Sequence, residues 1–247
     1  MSNYYHGAKA SKQATSVSTP VVADSSIHLI VGTAPVHTVG GKVNEPVYAS
    51  NYAEAVAAMG YSDEWDKYDI CEEIYSSFKL YSNGPIIMVN VLDPAKHLKG
   101  AETVEKTLAG GITELPYEAV SDTVEVKGYD GEDSLTETYT RGEDYDLFYT
   151  DGVLRLERIE SGKIKADNAR LNIKFNSVDS SKVTKKEIIG GYDTNTNKSS
   201  GFELVDSVYP KYGVIPTLFL APNFSTDSEV AAIMACLLYT SPSPRDT

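Results

Sequence analysis

The sequence predicts an α/β core domain, α+β overall, that is interrupted by an inserted antiparallel β-barrel or sandwich domain. Three observations support this prediction. Continuous apolar runs alternate with helical patterns near both ends of the chain, the middle alternates apolar and polar residues, and turn residues separate the short segments. We divide the 247 residues into an extended N-terminal arm, a first part of the core, the insertion, a second part of the core and a tail. The corresponding ranges are 1–25, 26–100, 101–186, 187–235 and 236–247.

Residues 1–25 have the composition of an extended arm. They are rich in Ser, Thr, Ala and Lys, and "ATSVSTPVV" has many β-branched residues without a partner strand nearby. Unpaired backbone groups favour addition to a sheet edge, including the edge of another chain, unless the segment is disordered. The candidate residues for inter-subunit strand addition are Thr15, Ser16, Val17, Ser18, Thr19, Pro20 and Val21.

The first part of the core reads as strand, helix, helix, strand. "IHLIVGTAPVH" (27–37) and "PIIMVNVL" (85–92) are apolar runs typical of buried strands. Between them, Asn51 and Glu54 predict a capping box, and Gly60 ends that helix. A second helix is indicated by four residues at helical spacing: Ile70, Ile74, Phe78 and Tyr81. This order implies a parallel α/β layer.

The chain changes character after Gly100. From Ile112 to Ser180 it alternates in short segments such as "DTVEVKGYDG" and "YDLFYTDGVLRLERI". The predicted turns lie at Gly128, Asp130-Gly131, Asp151-Gly152 and Ser161-Gly162. Acidic residues outnumber basic ones 16 to 8 in this stretch, which predicts a solvated acidic surface.

The α/β pattern then resumes. "GGYDTNTNKSSG" is expected to be a polar loop or short connector, and residues 202–213 a short helix closed by Pro210 and Gly213. "IPTLFLAPN" (215–223) predicts another buried strand. "STDSEVAAIMA" opens a helix whose N-cap is one of Ser225, Thr226 and Asp227. We expect this domain to be unfinished and its C-terminal part to be missing.

The sequence contains no catalytic constellation. The histidines are dispersed without metal-ligand spacing, and neither a G-x-S-x-G elbow nor a phosphate-binding loop occurs. The clusters "YDGEDS" and "RGEDYD" lack the ordered acidic loop of a calcium site. We therefore predict no catalytic, cofactor-binding or metal-ligating residue, and no enzymatic activity. The four histidines are His6, His28, His37 and His97.

Composition narrows the class of protein further. The net charge of −13 argues against a nucleic-acid-binding surface. Two cysteines, Cys71 and Cys236, make no disulfide framework, and Cys71 is expected to be a buried free thiol. Neither a secretory signal nor an apolar run long enough to cross a bilayer is present, which predicts a soluble protein made in a reducing cytoplasm.

An ordered set of stretches carries a resemblance to a known family. They are "YYHGAKASKQATSVSTPVVADSSIHLIVGTAPVH", "EIYSSFKLYSNGPIIMVNVLDPAKH", "YTRGEDYDLFYTDGVLRLERI", "KVTKKEIIGGYD" and "GFELVDSVYPKYGVIPTLFLAPNFSTDSEVAAIMA". With them, the chain resembles the N-terminal part of contractile tail sheath proteins of bacteriophages and phage-tail-like particles. The similarity runs from about Tyr5 to Ala235, and the order of the stretches is more specific than any one of them.

The resemblance implies a structural subunit without catalysis or cofactor. Sheath subunits stack as hexameric rings around an inner tube, and contraction drives the tube through the target envelope. The implied partners are other sheath subunits, the inner tail tube protein, and baseplate and tail terminator proteins; neither nucleic acid nor a membrane is implied. The location would be the virion tail, or a tailocin, after synthesis in the bacterial host cytoplasm.

The tail has a different origin in this interpretation. "CLLYTSPSPRD" (236–246) resembles a sequencing-library adaptor translated in frame, so we expect 236–247 to be an artefact. Two other functions stay open at this stage. One is a small-molecule-binding or enzymatic α/β domain with an inserted β lid, which should show a polar cleft at the carboxyl ends of the strands. The other is an acidic adhesin module centred on 112–180.

Overall fold

The computed structural model describes residues 27–130 and 134–240. The predicted strand-addition arm, Thr15 to Val21, lies outside these residues, as does the end of the predicted tail. The arm therefore stays a prediction.

The first part of the core forms the centre of a sheet. Strand β1 (His28–Gly32) pairs in parallel with β3 (Ile86–Asn90), as predicted. Strand β2 (Val47–Ala49), which the sequence analysis missed, pairs antiparallel with β3. Helices α1 (Tyr52–Met59) and α2 (Asp69–Tyr75) lie between β2 and β3 in the chain. Every residue of β3 is buried, because apolar clusters cover both faces of the sheet.

The ends of α1 follow the predicted capping chemistry. Asn51 Oδ1 accepts the Glu54 backbone N–H at 3.0 Å. Glu54 Oε2 accepts the N–H of Ser50 at 2.8 Å, one residue before the expected partner. Gly60 follows the helix at φ +74°, a conformation that favours glycine. The signals around this helix were therefore sufficient to define both of its ends.

The predicted second helix changes its winding midway. Helix α2 passes into one π-helical turn, Ser76–Leu80, in which the N–H of Tyr81 bonds the carbonyl of Ser76. Ile70 and Ile74 are fully buried, but Tyr81 is 77% exposed. Placing Tyr81 in the apolar stripe was wrong, because the wider turn rotates the following residues away from the core.

The middle of the chain forms two antiparallel sheets, β4-β10-β6-β7 and β5-β9-β8. One buried cluster contains side chains from both sheets, including Val126, Leu156 and Phe175. No closed barrel forms among the described residues, so the barrel alternative is not supported. The strands are β4 (Glu102–Thr107), β5 (Ile112–Glu114), β6 (Glu125–Asp130), β7 (Ser134–Tyr139), β8 (Tyr145–Thr150), β9 (Val153–Arg158) and β10 (Arg170–Phe175).

Two predicted turns have different outcomes. Asp151 and Gly152 connect β8 to β9 with φ of +50° and +79°, the signs that a tight hairpin turn requires. Gly128, in contrast, lies inside β6, where the register with β7 shifts between Lys127 and Tyr129. The turn prediction at Gly128 was wrong because this glycine serves a bulge.

The last part of the chain returns to the first sheet. It comprises α3 (Lys185–Ile189), β11 (Gly191–Asp193), β12 (Lys198–Ser200), α4 (Val208–Tyr212), β13 (Leu218–Leu220) and α5 (Ser228–Thr240). Strands β11 and β12 form a hairpin where a polar loop or connector was expected. Pro210 lies within α4, so it does not close that helix, whereas Gly213 does so in the left-handed conformation.

Strand β13 pairs in parallel with β1, which gives the strand order β13-β1-β3-β2. The prediction of a buried strand holds for Phe219 but not for Leu218, which is 43% exposed because β13 lies at the edge of the sheet. Asp227 is the cap of α5, since its Oδ1 accepts the Glu229 N–H at 2.9 Å. Helix α5 continues past Ala235, through the start of the predicted tail.

Candidate functional site

The carboxyl ends of β1 and β3 are where parallel sheets usually hold ligands. Here that position contains buried polar side chains. Asn90, at the end of β3, accepts the N–H groups of Ala34 and Leu92 at 2.9 and 3.1 Å, and its amide donates to the Leu92 carbonyl. Asn90 thus ties together the two loops that leave the sheet, and its hydrogen-bonding capacity is used by backbone.

Asp69 occupies the same end of the sheet, at the start of α2. Its Oδ1 accepts the Thr33 backbone N–H at 2.6 Å and the Thr33 hydroxyl at 3.1 Å. Its Oδ2 is buried without a hydrogen-bond partner. Burial raises the pKa of Asp69 to about 7, although the bonds from Thr33 oppose this shift. The carboxyl links the end of β1 to the start of α2, and because it is buried it is not accessible to a substrate.

An open groove of about 530 Å³ lies along the loop that follows β1. Its walls are the loop 36–41, Pro94, the segment 120–122 and Tyr149. An enzymatic or ligand-binding α/β domain would need a cleft in this region with convergent polar groups. The polar groups of the groove therefore bear on that alternative. They are His37, Thr38, Ser121, Asp122 and Tyr149, whose hydroxyl donates to the Ala119 carbonyl at 2.9 Å.

These polar groups do not converge on a common point. The Nε2 of His37 donates to the Tyr117 carbonyl at 3.0 Å, so this nitrogen does not activate a nucleophile. Ser121 Oγ interacts with Asp122 Oδ1 at 3.5 Å. The Asp122 side chain is 88% exposed and lies 3.5 Å from Arg141. Among the groove residues that the structure describes, no nucleophile–base pair of the kind used in covalent catalysis is formed.

Tyr117, from the β-rich part of the chain, contacts residues of the α/β part next to this groove. Its hydroxyl donates to the Tyr61 carbonyl at 2.8 Å, and its ring meets the rings of Tyr68 and His37 edge-on at 6.0 Å. Lys67 binds Glu118 at 2.7 Å in the same region. We call this set the Tyr117 contact: it joins the α/β sheet to the β-rich sheets. The sequence analysis missed it, because Tyr117 lies in the irregular segment "LPYEAV", which has no periodicity.

The other histidines of the described chain are satisfied by local partners. His28 Nδ1 lies 2.8 Å from Glu73 Oε1, which also accepts the Ser77 hydroxyl at 2.6 Å. His97 Nδ1 accepts the Asp93 N–H at 2.9 Å. Across the described ranges, no three His, Cys, Asp or Glu residues cluster in a way that could hold a metal ion.

The two cysteines, Cys71 and Cys236, form no disulfide with each other. Cys71 is buried, as predicted, and burial raises the pKa of its thiol to about 12. Cys236 is exposed on α5. Within the described part of the chain, no helix combines the length and apolar character needed to span a bilayer.

Together these features define an α/β sheet joined to two antiparallel β-sheets. No protein-family model matches the chain. The chain is similar to the tail sheath protein of Burkholderia phage BcepMu, with 28% identity over 231 residues. The match covers 93% of this chain and 45% of that relative, so the chain spans about half the length of the curated relative. The predicted resemblance to phage tail sheath proteins is thereby confirmed.

Proposed function

We propose that the chain is part of a structural subunit of a contractile phage tail sheath. The observation that carries this proposal is the match to a phage tail sheath protein along 93% of the chain. In the proposed assembly, subunits form hexameric rings around an inner tail tube and contract to drive that tube through the target envelope. The subunit is made in the bacterial host cytoplasm, ends up in the virion tail and has no catalytic role.

The proposed partners are other sheath subunits, the inner tail tube protein, and the baseplate and tail terminator proteins. The edge position of β13 supports contact between subunits by strand addition, because its outer side has no strand partner among the described residues. The arm residues Thr15–Val21 are the proposed added strand. Backbone pairing depends little on side-chain identity, so such a link persists while the subunits rotate.

Electron microscopy of the purified product of the whole reading frame in the source genome tests this function. We expect rings or tubes with sixfold symmetry. A homogeneous preparation of folded monomers at high protein concentration would contradict the sheath proposal.

Paired substitutions in the arm test the strand-addition step separately. Replacing Val17 and Thr19 by proline removes two backbone N–H donors, and the matched control replaces both by alanine. We expect polymers from the alanine variant and none from the proline variant. If the proline variant polymerises as well as the control, the arm assignment is wrong while the sheath function stands.

The groove at the strand ends is the observation that favours the second candidate, a small-molecule-binding α/β domain with a β lid. Its volume of about 530 Å³ is typical of small-ligand sites. The absence of a convergent polar set in the described groove makes this candidate the weaker one. A thermal-shift screen of nucleotides, sugars and amino acids tests it, and a saturable shift lost in Asp122→Ala would favour it.

A further inference from the structure

The ring of His37 lies inside the Tyr117 contact. It belongs to the loop that leaves β1, yet its partners come from the β-rich part of the chain. The residue is 8% exposed, and its ring meets the rings of Tyr117 and Tyr149 edge-on, at 6.0 and 6.1 Å between ring centres. One histidine therefore spans the contact between the two parts of the fold.

The hydrogen bonds of His37 require the neutral ring. Because Nε2 donates to the Tyr117 carbonyl, the neutral ring carries its lone pair on Nδ1. That Nδ1 is buried and has no hydrogen-bond partner. Protonation would place a new N–H donor and a positive charge at an atom with no acceptor, which is unfavourable in a buried environment.

The charged and titratable groups around the ring do not replace that acceptor. Glu118 acts on His37 electrostatically, but its carboxylate is held by Lys67 at 2.7 Å. Asp122 lines the same groove and is exposed, with Arg141 beside it. The remaining titratable neighbours are Tyr117 and Tyr149, whose pKa values are raised by burial, so both stay neutral.

We propose that His37 makes the Tyr117 contact sensitive to pH. The neutral ring stabilises the packing of the β-rich sheets against the loop after β1, and protonation of the ring weakens that packing. The inference goes beyond the proposed sheath function and does not depend on it. It adds a conformational response of the single subunit to acid.

The direction of the pH dependence follows from burial. Burial lowers the pKa of His37 below its ordinary value of 6.5, while the backbone bond to Tyr117 and the charge of Glu118 partly oppose this. The stabilisation is therefore complete above pH 6.5 and is lost as the pH falls through the lowered pKa. The buried carboxyl of Asp69 changes stability with pH in the opposite direction, because its protonation in acid is stabilising. Asp69 therefore cannot mimic the response of His37.

Hydrogen exchange of the whole chain between pH 4.5 and 8, corrected for intrinsic rates, tests the proposal. The segments 36–41 and 115–120 report on the contact. In the wild type we expect protection there to fall by up to about tenfold per pH unit as the pH drops from 6.5 towards the lowered pKa of His37, and to level off below that pKa. The strands β8 and β9 serve as internal reference and should keep their protection.

Two neutral replacements and one control separate the possible outcomes. His37→Phe keeps the aromatic packing, and His37→Gln keeps a donor for the Tyr117 carbonyl. In both variants, hydrogen exchange in segments 36–41 and 115–120 should show no loss of protection in acid. His28→Gln, at the opposite end of β1, should behave like the wild type. An unchanged acid response in both His37 variants, or no response in the wild type, would overturn the proposal.

Discussion

Replacing Asp69 by Asn tests the energetic cost of the buried carboxylate at the exit of β1. The two side chains have the same shape, and the amide oxygen can still accept the Thr33 N–H that Asp69 Oδ1 accepts at 2.6 Å. The amide nitrogen takes the place of Oδ2, which has no partner in the structure. The variant therefore imitates the protonated form of Asp69 at every pH.

The magnitude follows from the two pKa values of this carboxyl. It titrates near 3.8 in the unfolded chain and at about 7 in the folded protein. The unfolded state thus releases its proton first, and the free energy of unfolding falls as the pH rises from 4 to 7. At about 1.4 kcal/mol per pKa unit, the charged carboxylate costs on the order of 4 kcal/mol at pH 8. Asp69→Asn should remove this cost.

Urea denaturation of both proteins at intervals from pH 4 to pH 8 is the assay. We expect equal free energies of unfolding near pH 4, within about 1 kcal/mol, and a gain of several kcal/mol for the variant at pH 8. Carboxylates with a lowered pKa, such as Asp144 and Asp179, act in the other direction, but they are common to both proteins and cancel in the difference. Parallel pH profiles for the two proteins would refute the reasoning.

Three further substitutions can be measured by the same denaturation at pH 7. Gly152→Ala should cost more stability than Gly142→Ala: both glycines have φ near +80°, but only a Cβ at Gly152 would clash with the Tyr117 ring; equal losses would count against this packing. Tyr117→Phe removes the hydroxyl bond to the Tyr61 carbonyl and should cost about 1 kcal/mol, and a neutral result would mean that the bond contributes nothing. Asn51→Ala removes the cap of α1 and should also cost about 1 kcal/mol, whereas Asn51→Ser should restore most of it.

The local signals of the sequence predicted those elements whose ends are determined by neighbouring residues. Helix α1 is the clearest case, because Asn51, Glu54 and Gly60 interact within one short segment. The apolar run of β3 likewise indicated burial on both faces, since no polar residue interrupts it until Asn90.

The errors occur where a distant partner decides the structure. Gly128 is needed in a strand because the ring of Tyr139 packs against it, and the sequence near Gly128 carries no sign of that ring. Leu218 is exposed because its strand comes last in the sheet, which is a matter of topology. The groove was equally hard to predict, since its walls come from four separate stretches of the chain. The Tyr117 contact depends on an irregular segment.

The pairing of β1 with β13 has a consequence for synthesis on the ribosome. Ile30 pairs with Leu220, so the sheet joins residues from nearly opposite ends of the described chain. About 130 residues separate β3 from β13, and at 5–20 residues per second a ribosome needs roughly 6 to 26 seconds to make them. For that time the outer edge of β1 lacks the strand that covers it in the folded protein, and such an edge invites aggregation. The order of translation, and any chaperone that shields β1 meanwhile, therefore bears directly on the yield of native protein.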